Sequence, residues 1–416
     1  MRTKQKNWAG NYEYSTTQVH YPQTVAQVQE LVQQHDKLKV LGSRHSFNGI
    51  ADSTTALVSL ERLDPGINID RDNATVTVAA GVKYGQLCEQ LHQEGYALHN
   101  LASLPHISVA GACATATHGS GDGNGNLATA VTVIELVTAN GEVVVLAGEE
   151  VQAAAVHLGA VGIITKLTLR ILPTFDVKQN VYEQLPFDQL ENHFDAIFSS
   201  AYSVSLFTDW RSHTINQLWL KQRVADNTTL APETLGMMPA SQRLHPIVSI
   251  SAEPCTEQMG IPGPWYERLP HFRMAFTPSS GEELQSEYYV PRQHAFAALT
   301  AVNQIRQHIA PLLLISEIRT IAADNLWLSP CYQQACVAIH FTWQPNWPAV
   351  KQVLPLIEAQ LAPFSARPHW GKLFTMPPAR VRSLYKKLPD FQQLLPQYDP
   401  QGKFRNTFLD RVILGD

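Results

Sequence analysis

At 416 residues the chain is too long for one compact core of ordinary size, so two or three domains are expected. A composition of 44% hydrophobic and 16% charged residues excludes a disordered or coiled-coil protein. The net charge of −5 offers no footprint for nucleic acid or an anionic membrane, which leaves a small neutral or polar molecule as the better partner.

The first residues, "MRTKQKNWAGNYEYS", are basic but lead into no apolar h-region, and no apolar run reaches the roughly 18 residues of a membrane helix. A soluble, cytoplasmic protein that needs no more than a monomer is therefore expected, with no membrane partner. The five cysteines are odd in number, irregularly spaced and free of any C-x-x-C, so they read as thiols of a reducing compartment.

Strand and helix signals alternate through the first 175 residues. "TVAQVQELVQQH" sets Val25, Val28, Leu31 and Val32 on one helical stripe behind a Thr24 N-cap, and "KLKVLG" then reads as a strand. "NIDRDNATVTVAAG" alternates with period two around a turn at Asp72 and Asn73. "YGQLCEQLHQEGY" returns to helical spacing and stops at Gly95, and "AVTVIELVTANGEVVVL" is a hairpin about Asn140-Gly141. "GIITKLTLRILP" closes this part at Pro173. Beyond about residue 176 the segments become aromatic and Pro-rich. Strands are expected in "VSLFTDW", "QLWLKQR", "SEYYVPR", "LLLISEIRT" and "ACVAIHFTW", with a helix in "PAVKQVLPLIEAQL" that Pro355 interrupts. The fold class is therefore α+β, in two domains: residues 1–175, and residues 176–416 built on an antiparallel sheet with flanking helices.

Small residues gather in three places: "LGSRHSFNG", "ASLPHISVAGACATATHGSGDGNG" and "GAVGIITK". Small side chains let a ligand approach the backbone, and successive turn N–H groups form concavities for phosphate oxygens, so a nucleotide cofactor is implied. The dinucleotide fingerprint needs strand, G-x-G-x-x-G and then helix, but "GSGDGNG" runs into the strand "AVTVIELV". No P-loop is present either. For the glycine run alone, a plain surface loop is an equal alternative.

In the second half, Glu317 and Arg319 are two residues apart on one expected strand, as are His340 and Thr342 on another, so each pair shares a face. Two such strands make either one wall of a polar pocket or a solvent-facing sheet with charge pairs, and the pattern does not choose.

"GSRHSFNGIADS" and "SLPHISVAGACATATHGSG" resemble the flavin domain of the vanillyl-alcohol-oxidase superfamily and, more narrowly, the bacterial alditol (xylitol) oxidases. "GPWYERLPHFRMAFTPSSGEELQSEYYVPR", "SEIRT", "RPHWGK" and "DPQGKFRNTFL" extend the likeness to that family and the related aldonolactone oxidoreductases. The resemblance covers essentially the whole chain. It implies an FAD-binding domain of the PCMH type over residues 1–175 and a substrate-binding or cap domain over 176–416, with about 365–416 returning towards the flavin.

It further implies that Ser43, Arg44, His45, Ser46 and Phe47 form the pyrophosphate loop, with FAD bound covalently to His45. Ser103, Ser108, Gly111, Thr115, Thr117 and His118 would line the ring and phosphates. Ile163 and Ile164 would meet the adenine end through the backbone, and His369 would contact the flavin. Ser103, Glu317, Arg319, Thr342 and Lys372 match substrate-contacting positions, with Lys372, Arg319 and Glu317 as the catalytic set.

The implied activity is oxidation of the C1 hydroxyl of alditols such as xylitol and sorbitol, with O2 as acceptor and H2O2 as product. The alternative is an aldonolactone oxidoreductase. Neutral imidazole is a competent nucleophile near physiological pH, which suits His45 to covalent attachment. Crowding by Arg319 would depress Lys372 enough for it to serve as a base. No metal is expected: H-E-x-x-H is absent, and His99, His106 and His118 lack ligand spacing. A non-catalytic flavin binder has no need of two cations beside a hydride acceptor.

Overall fold

A computed structural model describes residues 4–226, 230–276 and 283–415. Residues 277–282, inside the segment that begins "GPWYERLPHFR", lie outside the described residues.

The first 175 residues form a five-stranded antiparallel sheet ordered Asn68–Asp70, Thr75–Ala79, Ile163–Arg170, Val131–Val137, Val143–Ala147. A small parallel sheet places Ala56–Val58 between Val19–His20 and Leu38–Val40. The helix Val25–Gln34 starts where its cap was expected, because the Thr24 side chain accepts the Gln27 backbone N–H. Val28 and Val32 of that helix, Val76 and Val78 of the sheet, and Leu87 and Leu91 of the helix Tyr84–Gln93 share one core.

The second half is organised by a nine-stranded sheet. Its centre runs Thr214–Arg223, Ser203–Thr208, Leu313–Ile321, Cys336–Trp343, Leu284–Pro291, each antiparallel to the next. Alternate side chains divide the two faces. Leu206, Leu218, Ile318, Ile339 and Phe341 pack into one core with residues of the helices Gln189–Phe198, Ala295–Gln304 and Trp347–Leu361. The other face carries the polar residues. Register aligns Gln217, Phe207, Glu317, His340 and Glu287 in one row across five strands.

Pro355 does not interrupt its helix, which runs unbroken from Trp347 to Leu361. An internal proline costs about 3 kcal/mol through its lost hydrogen bond and ring clash. Val350, Leu354, Ile357 and Leu361, all fully buried in the core shared with the sheet, more than offset that.

The tail crosses back. Met376, Val381, Phe391, Leu409 and Ile413 join the core of the first 175 residues, not that of the large sheet. The backbone at Phe47 donates to the Gly371 carbonyl at 2.7 Å, and Asn48 Nδ2 donates to the carbonyls of Trp370 and Lys372 at 2.9 Å each. The small-residue loop and the "HWGK" segment are thereby tied together. Among the described residues no helix is long and apolar enough to cross a membrane.

Candidate active site

A cleft of about 880 Å³ lies between the two halves, lined by all three small-residue segments and by the polar face of the large sheet. That is within the usual range of ligand pockets, roughly 300–1,000 Å³.

On the first-domain side the loops meet through missing side chains. A Cβ on Gly42 would lie 3.0 Å from Ser108 Oγ and 4.0 Å from Gly111 Cα on the facing segment, so its absence lets the two segments pack closely, and a Cβ on Gly111 would press on the same hydroxyl at 2.7 Å. The Ser108 backbone N–H donates to Ser43 Oγ at 3.2 Å. Arg44 is held in the left-handed region at φ 63°, and its guanidinium donates to Gln5. His45 stacks on Trp8 at 5.2 Å between ring centres. Both its ring nitrogens are out of solvent and lack a hydrogen-bond partner, as does Ser108 Oγ. Burial pulls the His45 imidazolium down to about 4, so the ring is neutral and nucleophilic at physiological pH.

Ser46, Thr115, Thr117, His118 and Ile164 also line the cleft, and Thr115 and Thr117 hydroxyls lie 3.2 Å apart. Ile163 does not line it. Its side chain turns into the core on a strand facing Val137, as alternation demands once Ile164 faces the ligand, and only its backbone remains available. Phe47 lines the cleft from a buried position.

A long cleft, backbone approach at Gly42 and Gly111, and orphaned polar atoms on His45 and Ser108 are what an extended phosphate-bearing cofactor requires. These residues fit FAD.

The opposite wall is a network of charges. Arg319 Nε lies 3.3 Å from Glu317 Oε1, and its guanidinium also donates to Ser103 Oγ at 3.3 Å. Thr342 Oγ1 lies 3.0 Å from His340 Nε2, and His340 Nδ1 lies 2.8 Å from Lys372 Nζ. Ser103, Glu317, Arg319, Thr342 and Lys372, the positions expected to contact substrate, therefore lie together in one cleft, alongside His369, whose Nδ1 accepts the Gly371 N–H at 3.0 Å.

At the centre sits a residue that sequence reading overlooked. Glu287 is 1% exposed and lines the cleft; it pairs with Lys372, accepts from His118 Nε2 at 2.8 Å, and lies 3.8 Å from Arg319 and 3.6 Å from His340. Burial alone would raise its carboxyl, but Lys372 and His118 override that and hold it well below the usual carboxylate range. His118 Nδ1 lies 2.7 Å from the Gly119 carbonyl, and because burial lowers the imidazolium, the neutral ring has a single proton for the carbonyl and the Glu287 carboxylate. The same competition acts at Glu317, where Arg319 and His271 defeat burial and keep the carboxylate ionised.

Lys372 is lowered chiefly by burial, with Arg319 adding to the effect and Glu287 opposing it. Crowding by cations is thus the lesser cause. The signal for Glu287 was present: Glu283, Gln285 and Glu287 alternate along "EELQSEYYV", which puts two carboxylates and an amide on one face. His271, bonded to Glu317 Oε1 at 2.8 Å, had no such signal, since it comes from a connection and not a strand.

Comparison with known proteins agrees with this geometry. Residues 16–147 match the model of an FAD binding domain, and residues 279–412 match that of D-arabinono-1,4-lactone oxidase. The chain is 46% identical to an alditol oxidase of a Streptomyces species over 420 residues, covering 100% of both chains. Identity falls to 27% with L-gulono-1,4-lactone dehydrogenase of Mycobacterium tuberculosis, over 98% of each chain. Cholesterol oxidase from B. sterolicum shares the fold, with a TM-score of 0.78 at 14% identity, covering 99% of this chain and 96% of that one. An FAD-type cleft faced by a buried Glu–Arg–Lys wall, and full-length identity of this order, place the chain in the alditol oxidase family of FAD-dependent oxidoreductases.

Proposed function

We propose that the protein oxidises the terminal C1 hydroxyl of alditols such as xylitol and sorbitol to the aldose, with FAD attached covalently through His45. Bound FAD supplies the acceptor for the C1 hydride and the route for two electrons to O2, giving H2O2. The observation that carries the reading is the meeting of Glu317, Arg319 and Lys372 in the cleft that also holds the unpartnered His45.

The chain's own contributions follow from its chemistry. A neutral His45 ring nitrogen would hold the cofactor through its 8α-methyl carbon, an exchange that releases a methyl proton and leaves two electrons on the flavin for O2 to remove. Ser43, Arg44, Ser46, Phe47, Ser108, Gly111, Thr115, Thr117 and the backbone at Ile163 and Ile164 hold the rest, with His118 and His369 beside the ring system. Arg319 and Lys372 donate to the reacting oxygen and stabilise alkoxide charge as it develops. In its neutral form, which burial favours, Lys372 takes the hydroxyl proton, and the ammonium so formed is the donor to the alkoxide, with Glu287 balancing its charge. Glu317, Ser103 and Thr342 read the neighbouring hydroxyls, because buried polar groups reject a substrate that leaves them unpaired.

The mass of the denatured protein tests the cofactor and its attachment together: an excess of one FAD is expected in the wild type and none in His45→Ala. Peroxide release with xylitol or sorbitol, and little with a galactonolactone, tests the substrate class. The reverse preference would favour a lactone oxidoreductase, to which the match over residues 279–412 also bears a likeness.

A further inference from the structure

Glu317 is held by a second partner besides Arg319, and that partner is itself held. Lys221, on the strand Thr214–Arg223, is 1% exposed. Its Nζ lies 2.6 Å from the Leu269 carbonyl, 2.9 Å from that of Pro270 and 3.1 Å from His271 Nδ1. An ammonium has three N–H donors and no lone pair, so all three contacts are donations and Nδ1 must be the accepting nitrogen of the ring. The ring proton then belongs on Nε2, which is 2.8 Å from Glu317 Oε1.

Burial lowers the His271 imidazolium to about 4, so the ring stays neutral between an ammonium and a carboxylate. Phe207 and Trp219 meet it edge-on at 5.5 and 5.2 Å, and its backbone N–H donates to the Ser103 carbonyl at 3.1 Å. The ring therefore has a fixed place as well as a fixed tautomer. Glu317 spends Oε1 on His271 and Arg319, and among the described residues no hydrogen bond engages Oε2.

We propose that Lys221 and His271 are positioning residues for the alditol: Lys221 sets the Nε2–H tautomer of His271, and His271 anchors one oxygen of Glu317 so that the other is presented to substrate hydroxyls. The inference rests on Glu317 being a polyol ligand. Without Lys221 the Nδ1 edge of the ring loses its fixed donor, so the ring can swing and loosen its hold on Oε1, even though the carboxylate itself favours the Nε2 proton.

The test uses the holoenzyme. Lys221→Met is expected to raise KM for xylitol about tenfold to a hundredfold, the worth of a hydrogen bond to a charged group, while kcat moves by less than about threefold. In a Glu317→Gln background the same substitution should add no further loss, because it acts through Glu317. Nitrogen-15 NMR of labelled histidines, with His271 assigned from its disappearance in His271→Gln, should show a bare, hydrogen-bonded Nδ1 in the wild type and a bare Nδ1 without that bond in Lys221→Met.

Burial lowers the Lys221 ammonium to about 7, with Glu317 and Cys255 opposing and Arg319 adding to it, so spectra are taken below that pH. The wild-type tautomer needs no Lys221 variant, so the proposal stays testable if that variant fails to fold. A protonated Nδ1 in the wild type, an unchanged KM in Lys221→Met, or a full second loss in the Glu317→Gln background would each overturn it. An unchanged KM in Glu317→Gln would instead remove the polyol reading of Glu317, and the proposal with it, whatever the tautomer.

Discussion

The two walls of the cleft are built on opposite principles. On the first-domain side, glycines and short side chains leave polar atoms idle: His45 and Ser108 make no side-chain bond at all. On the sheet side, Glu287, Glu317, Arg319, Lys372 and His271 are paired before any ligand arrives, and Glu287 also reaches across to His118 of the first domain. A permanent cofactor can complete what the fold leaves open. A substrate that enters and leaves at each turnover cannot, since every departure would strand buried charges. The sheet wall therefore pairs its charges with one another and lends its donors to the substrate, including Arg319 Nε, which lies 3.3 Å from Glu317 Oε1 without a hydrogen bond of its own.

The sharpest way to break this contrast is at the lysine. Lys372→Met removes a donor aimed at the reacting oxygen and should slow anaerobic flavin bleaching by xylitol about 10²–10³-fold. Stopped-flow absorbance checks it, and an unchanged rate would take Lys372 out of the chemistry. The wall around it would then be structural only.

A second comparison sets stability on the two walls side by side in protein stripped of FAD. Glu287→Gln breaks a buried network by removing its central charge, and should cost ~3 kcal/mol in denaturant unfolding. Ser108→Ala removes a hydroxyl that bonds to nothing, so its cost should stay within about 0.5 kcal/mol. Equal effects would mean that the idle atoms of the cofactor wall are not idle. The carboxylates also set the acid limb. Because Glu287 and Glu317 are held below the range of an unfolded glutamate, they contribute stability at neutral pH that fades as pH falls below that range towards their folded values.

How much of this was legible in the sequence depended on whether a residue's neighbours were local. Glu317 with Arg319, and His340 with Thr342, could be placed on common faces because a strand fixes side-chain direction every two residues. Glu287 obeyed the same rule, but its importance came from register: only pairing three strands sets Glu287, His340 and Glu317 in one row. Lys221 and His271 were beyond reach, since their link runs between a strand and a connection 50 residues further along. Pro355 misled for a related reason, because a local rule was outweighed by burial that appears only in the folded sheet-and-helix layer. On the cofactor side Gly42, Ser43 and His45 are neighbours in sequence, and their loop announced itself, although which of their atoms are orphaned did not.

The smallest expected effect is an absence of change, and it bears on the first wall alone. An exposed histidine loses its nucleophilic form as pH drops through its ordinary value of 6.5. His45 is lowered to about 4 by burial, with the Ser43 backbone opposing and His106, Lys83 and Arg44 adding to it, so its ring stays unprotonated well below that value. The rate at which FAD-free protein takes up FAD covalently should therefore be flat across pH 6.5 and fall only on approach to pH 4, read as acid-stable flavin fluorescence against time. A half-loss near 6.5 would mean that His45 behaves as a solvated surface residue, and the cleft would lose the feature that separates its two walls: a side chain kept neutral and unpaired for a bond it has yet to make.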